Sequence, residues 1–128
     1  MAGQVKTVLC VDDEENGLTL RKRVLETSGY RVLTATSGEE ALRIYDSEPI
    51  DAIVLDYFMP GMNGLKVAAR LKESGASVPI IILSAYTPIL DEALGLADRW
   101  ITKASGDACQ LSRAIAELGD GASHSKPM

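Results

Sequence analysis

Five short apolar runs alternate along this chain with longer segments in which apolar residues recur every three or four positions. The runs occupy residues 8–11, 31–35, 52–55, 80–83 and 100–102. The first, third and fourth runs are almost entirely aliphatic, which is typical of strands buried on both faces in the middle of a parallel sheet. The second and fifth contain more polar residues, which suits strands at the edges of that sheet.

The intervening segments are predicted to be helices, because their apolar residues follow the spacing of one helical face. Residues 111–118 show this spacing clearly, and Ser37 with Glu40 forms a capping-box pattern at the start of the second helix. Strand–helix alternation repeated five times predicts an α/β fold, a doubly wound three-layer sandwich around a five-stranded parallel sheet. The size of the chain favours the strand order 2-1-3-4-5.

The chain has 128 residues, enough for one domain. We assign residues 1–119 to that domain and residues 120–128, which are mostly small and polar, to a flexible tail or the stub of a linker. A hydrophobic content of 46% excludes intrinsic disorder for most of the chain. Because no apolar run could span a bilayer and no secretory signal pattern is present, we expect a cytoplasmic protein without a membrane partner.

The charge and the cysteine and histidine content exclude several kinds of site. A net charge of −5 argues against direct binding to nucleic acid, which requires a basic surface, but suits carboxylates gathered around a cation. Cys10 and Cys109 are too few and too isolated for a disulfide framework or a zinc site. His124 is the only histidine and lies in the polar tail, so a histidine-dependent nucleophile has no good candidate.

The residues that follow the predicted strands are the most informative, because ligands of open α/β sheets bind beyond the carboxyl ends of the strands. Asp12 and Asp13 follow the first strand, Asp56 the third, Ser84 the fourth and Lys103 the fifth. In the order 2-1-3-4-5 these four strands are neighbours, so the end groups should share one edge. Singly, each has an ordinary explanation as a helix cap, a turn residue or a solvated charge. No packing rule requires four neighbouring strands to end in chemically complementary groups.

Together these groups fit phosphoryl transfer to a carboxylate. Clustered carboxylates repel one another unless a cation intervenes, and Mg²⁺ favours oxygen ligands and phosphate partners. A lysine and a serine hydroxyl can bind phosphoryl oxygens, and an aspartate can act as a nucleophile that forms an aspartyl phosphate.

Four motifs at these strand ends resemble those of the receiver domain of bacterial two-component response regulators, the CheY-like family. They are Val11-Asp12-Asp13-Glu14, the segment from Leu55 to Gly64, Leu83-Ser84-Ala85 and Trp100-Ile101-Thr102-Lys103. The resemblance spans about residues 6–118. It implies a flavodoxin-like fold and a phosphoacceptor signalling domain of a phosphorelay, which catalyses only its own phosphorylation and dephosphorylation and is not otherwise an enzyme.

The resemblance also implies a metal site and a phosphoacceptor. Asp56 would accept the phosphoryl group from a sensor histidine kinase or a histidine phosphotransfer protein. Asp13, Asp56 and the backbone carbonyl of Phe58 would bind Mg²⁺ directly. Asp12 would belong to the same metal site and act mainly through a coordinated water.

A switch is implied as well. Ser84 and Lys103 would hold phosphoryl oxygens, and phosphorylation would draw Ser84 inward with Trp100 following it. The surface formed by the fourth helix, fifth strand and fifth helix would then change for an unknown downstream protein or output domain.

Two features of the sequence differ from the family pattern. Ala104 follows Lys103 where the family has proline, often after a cis bond; since a cis bond before a non-proline residue costs about 2.5–4 kcal/mol, a trans bond is expected. The segment 84–103 is a few residues shorter than usual, which predicts a short or irregular fourth helix.

Phe58 and Tyr86 are predicted to slow attack of water on the phosphoryl group, the alternative being that both rings lie on the surface.

Two functions remain open at this point. The intact acidic, hydroxyl and lysine set favours a phosphorylation-dependent switch, whereas the missing proline and short fourth helix slightly favour a pseudo-receiver, a constitutive protein–protein module. A haloacid-dehalogenase-type phosphatase would need Asp-x-Asp after the first strand and a cap domain, and neither is present. Flavin binding would need a Ser/Thr-rich phosphate loop where Asp12-Asp13-Glu14 would repel the phosphate.

Overall fold

The computed structural model describes residues 6–84, 97–102 and 108–125. Within these ranges, strands and helices alternate. The strands are β1 (Thr7–Val11), β2 (Arg31–Ala35), β3 (Ala52–Asp56), β4 (Ile80–Ser84) and β5 (Arg99–Thr102). The helices are α1 (Glu15–Thr27), α2 (Gly38–Ser47), α3 (Gly64–Glu73) and α4 (Ala108–Ser125). The helix predicted between β4 and β5 falls outside the described residues.

The five strands form one parallel sheet in the order β2-β1-β3-β4-β5, which confirms the predicted fold class and strand order. Every residue of the central strands β1, β3 and β4 is buried. The edge strands β2 and β5 are partly exposed, as their more polar sequences predict. The central strands are buried throughout because both faces of the sheet are covered.

The sheet separates two hydrophobic cores, because successive side chains of a strand point to opposite faces. The core on the side of α1 and α4 includes Val8, Cys10, Leu25, Val54, Ile81 and Leu111. The core on the side of α2 and α3 includes Leu9, Ala41, Ile53, Leu55, Val67 and Ile82. Helices on both sides of the sheet therefore form the predicted three-layer sandwich.

Side-chain caps fix the starts of α2 and α3. Ser37 Oγ accepts a hydrogen bond from the backbone N–H of Glu40 at 3.1 Å, which confirms Ser37 as the cap predicted from the sequence. The carboxylate of Glu40 reaches back to the backbone N–H of Thr36 at 2.8 Å. Asn63 Oδ1 accepts from the backbone N–H of Lys66 at 2.9 Å and so begins α3 soon after β3 ends. Both caps satisfy amides that have no partner within their helices.

The helix α4 buries Leu111, Ala114 and Ile115, the face that the sequence pattern predicts. It continues to Ser125, beyond residue 119, where the sequence analysis places the end of the domain. Glycine inside a helix costs only about 1 kcal/mol relative to alanine, so the glycines after Leu118 do not force the helix to end. The division into residues 1–119 and 120–128 stays a prediction. Among the described helices, none combines the length and hydropathy needed to cross a membrane.

The packing of the sheet predicts that Cys10 is chemically inert. Its side chain is fully buried, and burial raises the pKa of its thiol to about 12. Because the thiolate is the reactive form, Cys10 in the Cys109→Ser variant should not react with Ellman's reagent at about pH 8 until denaturant unfolds the chain. Rapid reaction of one thiol in the folded variant would contradict this packing, and full reaction in guanidinium is the positive control.

Candidate functional site

Three carboxylates meet at the carboxyl edge of the sheet. Asp12 and Asp13 follow β1 directly, and Asp56 is the last residue of the neighbouring strand β3. One carboxylate oxygen from each residue lies within 4.8 Å of the other two. Asp12 and Asp56 are buried, with 1% and 4% of their surface exposed, whereas Asp13 is exposed. The structure therefore brings together the three acidic residues that the sequence predicts at this edge.

The strand register explains why the acidic residues converge. Val11 of β1 lies opposite Leu55 of β3, so the residues that follow them, Asp12 and Asp56, stand at the same level. The backbone N–H of Asp12 donates to the carbonyl oxygen of Ala35 at 3.1 Å, which ties the end of β1 to β2. A pairing shifted by one residue would send these side chains to opposite faces of the sheet.

The same register extends the edge toward β4 and β5. Asp56 lies opposite Leu83, and Ser84 lies opposite Thr102. Ser84 is buried, with 2% of its surface exposed, at the end of β4 beside β3. Lys103 follows Thr102 in sequence but lies outside the described residues, as do Ala104 and its peptide bond.

Aromatic residues link β5 to the segment that follows Asp56. The ring of Trp100, which is half-buried on β5, packs against Tyr57 with ring centroids 5.7 Å apart. The ring of Phe58 also packs edge-on against Tyr57, with ring centroids 5.4 Å apart. Phe58 is nevertheless 63% exposed. Its ring therefore lies on the surface, which is the second of the two positions that the sequence leaves open. Tyr86 lies beyond the part of the chain that the structure describes.

Gly64 fixes the backbone that carries Asp56 and Phe58. Its N–H donates to the carbonyl oxygen of Tyr57 at 3.0 Å, and this closes the loop between β3 and α3. A Cβ atom on Gly64 would lie 2.7 Å from the backbone oxygen of Asp56, which is closer than any side chain tolerates. Only glycine lets the first turn of α3 approach the end of β3 this closely. The sequence marks Gly64 only as part of a motif and gives no signal of this positioning role.

The cluster also contains a cation that the sequence analysis missed. Arg21 of α1 donates from Nη2 to Oδ2 of Asp12 and forms an ion pair with it. The other carboxylate oxygen of Asp12, Oδ1, accepts the backbone N–H of Glu14 at 2.9 Å. Arg21 is followed by Lys22 and Arg23, so the sequence favours three solvated helical charges and gives no signal that one of them reaches the sheet edge.

The donor set fits a hard divalent cation. Carboxylate oxygens from three residues converge, two of these residues are buried, and a buried charge is unfavourable unless a group of opposite charge lies close to it. Mg²⁺ takes oxygen ligands and uses one or two carboxylates together with waters and phosphate oxygens. Both oxygens of Asp12 already accept hydrogen bonds, Oδ1 from the backbone N–H of Glu14 and Oδ2 from Arg21.

Comparison with known proteins identifies the family of this chain. The family model of the response regulator receiver domain matches residues 8–113. The alkaline phosphatase synthesis transcriptional regulatory protein PhoP of Bacillus subtilis is 44% identical over 101 residues, which cover 77% of this chain. The same match covers 42% of PhoP, so the chain spans less than half the length of this relative.

Solved structures show the same likeness in three dimensions. The response regulator protein TrrA from Thermotoga maritima, in complex with Mg²⁺ and BeF, is 36% identical, with a TM-score of 0.82 over 89% of this chain and 99% of that chain. A response regulator receiver domain protein from Clostridium thermocellum is 30% identical, with a TM-score of 0.83 over 94% of this chain and 98% of that chain. On its sequence, its strand order and these relatives, the chain belongs to the response regulator receiver domain family of two-component signalling.

Proposed function

We propose that the domain is a phosphorylation-dependent switch, in which Asp56 accepts a phosphoryl group in a Mg²⁺-dependent reaction. The observation that carries the proposal is the convergence of Asp12, Asp13 and Asp56, whose carboxylate oxygens lie within 4.8 Å of one another. The complex of TrrA with Mg²⁺ and BeF supports it, since a tetrahedral beryllium fluoride resembles a phosphoryl group. The donor is a sensor histidine kinase or a histidine phosphotransfer protein.

The metal site uses the acidic edge of the sheet. Asp13, Asp56 and the backbone carbonyl of Phe58 would hold Mg²⁺, and Asp12 would contribute through a water molecule. When bound, Mg²⁺ neutralises negative charge on the carboxylates and on the oxygens of the transferred group. The chain itself supplies the positioning, because the register of β1 against β3 and the approach of Gly64 hold the Asp56 backbone in place.

The transfer step is an in-line displacement at phosphorus. A carboxylate oxygen of Asp56 forms the new P–O bond, while the P–N bond to the donor imidazole breaks and its electron pair stays on that nitrogen. The hydroxyl of Ser84 and the ammonium group of Lys103 bind the phosphoryl oxygens. Burial of Ser84 at the end of β4, next to the strand that carries Asp56, supports its part in this step.

The switch acts through the aromatic residues beside the acceptor. A phosphoryl group on Asp56 adds negative charge and strong acceptor oxygens, which draw Ser84 toward them and bias the position of Trp100. The contact between Trp100 and Tyr57, directly after Asp56, supports coupling between the acceptor and β5. The changed surface then acts on a downstream protein or an output domain. PhoP is a transcriptional regulatory protein, which supports an effect on transcription through that downstream protein or output domain.

Phosphorylation by a small donor tests the proposal. Incubation with acetyl phosphate and Mg²⁺ should add one phosphoryl group to the wild-type chain, as measured by intact mass spectrometry. Asp56→Asn should stay unmodified because its nucleophilic oxygen is gone. Asp46→Asn, which removes the same charge from an exposed position on α2, should be modified like the wild type.

Three results would contradict the proposal. An adduct on Asp56→Asn would place the acceptor at another residue, and an adduct that forms equally well with a metal chelator present would remove the role of Mg²⁺. A wild-type chain that stays unmodified by acetyl phosphate and by a histidine phosphodonor, yet is stabilised by Mg²⁺, would favour a pseudo-receiver.

Thermal unfolding tests the electrostatics of the cluster. In buffer without Mg²⁺, Asp56→Asn should raise the melting temperature by about 3–5 °C, the shift expected if it relieves on the order of 1 kcal/mol of repulsion. The exposed control Asp46→Asn should change it by less than about 2 °C. Added Mg²⁺ should stabilise the wild type more than Asp56→Asn, because the metal binds only the folded site. A lower melting temperature for Asp56→Asn would show that the three carboxylates do not repel one another.

A further inference from the structure

The ion pair between Arg21 and Asp12 differs from the others in the described part of the chain. The side chains of Arg21 and Asp12 are only 14% and 2% exposed. The three other pairs, Lys22–Glu26, Arg31–Glu48 and Arg99–Glu117, lie in solvent with 40–54% of each side chain exposed and separations of 3.3–3.8 Å. Exposed pairs of that kind contribute little, whereas a buried guanidinium changes the field of its surroundings strongly.

The helix α1 makes room for this contact at Gly17. A Cβ atom at that position would lie 3.1 Å from Arg21 Nη2 and 3.3 Å from Asp12 Oδ2. Glycine is a poor residue for a helix interior because it loses more backbone freedom than any other residue on folding. Because Gly17 has no side chain, the guanidinium of Arg21 can approach the carboxylate of Asp12 past this position.

We propose that Arg21 is a tethered counter-cation of the acidic cluster, one that lowers the affinity of the site for Mg²⁺; this inference rests on the magnesium site proposed above. Arg21 offsets one of the three negative charges that attract the metal. It also stabilises the domain without metal, because Asp12 would otherwise be a buried carboxylate without its guanidinium partner. Both effects act in the same direction, since each reduces the free energy that Mg²⁺ binding releases. Arg21 is thus a positioning and affinity-setting residue and does not itself bind the metal.

Isothermal titration with MgCl₂ at constant ionic strength measures this effect without relying on phosphorylation. The dissociation constant of Arg21→Gln for Mg²⁺ should be at least about tenfold lower than that of the wild type, equivalent to about 1.4 kcal/mol. The matched control is Arg23→Gln, which removes the same charge from an exposed position on the same helix. Its dissociation constant should stay within about twofold of the wild-type value, because solvent and salt screen an exposed charge.

A second pair of variants keeps the test decisive if Arg21→Gln does not fold without metal. Asp12→Asn/Arg21→Gln has a neutral residue at each position, so neither member of the former ion pair is left as a charge. It should bind Mg²⁺ more tightly than Asp12→Asn alone, in which the guanidinium still opposes the metal. Circular dichroism of each variant before the titration confirms that a folded protein is being compared.

The outcomes separate this inference from the proposed function. If the wild type binds Mg²⁺ and removal of Arg21 leaves the affinity unchanged or weaker in both comparisons, the role of Arg21 is wrong and the magnesium site stands. If neither the wild type nor Arg21→Gln binds Mg²⁺, both are wrong. A tenfold gain in Mg²⁺ affinity for Arg21→Gln, with no gain for Arg23→Gln, supports the role of Arg21 as a counter-cation.

Discussion

The burial of negative charge at the carboxyl edge of the sheet is the constraint on which the rest of this structure depends. Asp12 and Asp56 are almost completely buried and lie beside Asp13. Such charges are unfavourable in a protein interior unless they are paired and hydrogen-bonded. In this chain the guanidinium of Arg21 and the backbone N–H of Glu14 satisfy Asp12. The proposed chemistry places a divalent cation beside these clustered carboxylates, where its charge opposes theirs.

The hydrophobic framework makes this arrangement tolerable. The three central strands are buried at every position, and two separate cores hold them from either side. Apolar side chains of the sheet and of the helices form these cores, while the buried charged residues of the described part of the chain, Asp12 and Asp56, lie at the carboxyl edge of the sheet. Gly64 and the cap at Asn63 then fix the loop after Asp56, the residue proposed as the acceptor.

The sequence predicts much of this fold because its strongest signals are those of a buried parallel sheet. Apolar runs and strand-end polar residues place Asp12, Asp13 and Asp56 at one edge before any coordinates are known. It does not predict the contact of Arg21, since neighbouring basic residues on a helix look alike until the packing of α1 is known. The surface position of Phe58 and the continuation of α4 to Ser125 escape prediction for a related reason. Both depend on packing against neighbouring elements, which local sequence patterns do not encode.

The most direct test of the proposed Mg²⁺ site and of Asp56 as the acceptor is a crystal structure of this chain, determined from crystals grown with Mg²⁺ and beryllium fluoride. The account predicts beryllium fluoride on a carboxylate oxygen of Asp56, with Mg²⁺ bound by Asp13, Asp56 and the backbone carbonyl of Phe58. The hydroxyl of Ser84 should then contact the fluoride. A structure with Mg²⁺ at the acidic cluster but beryllium fluoride absent from Asp56 would contradict the assignment of this residue as the acceptor. An acidic cluster that holds no Mg²⁺ would contradict the account as a whole.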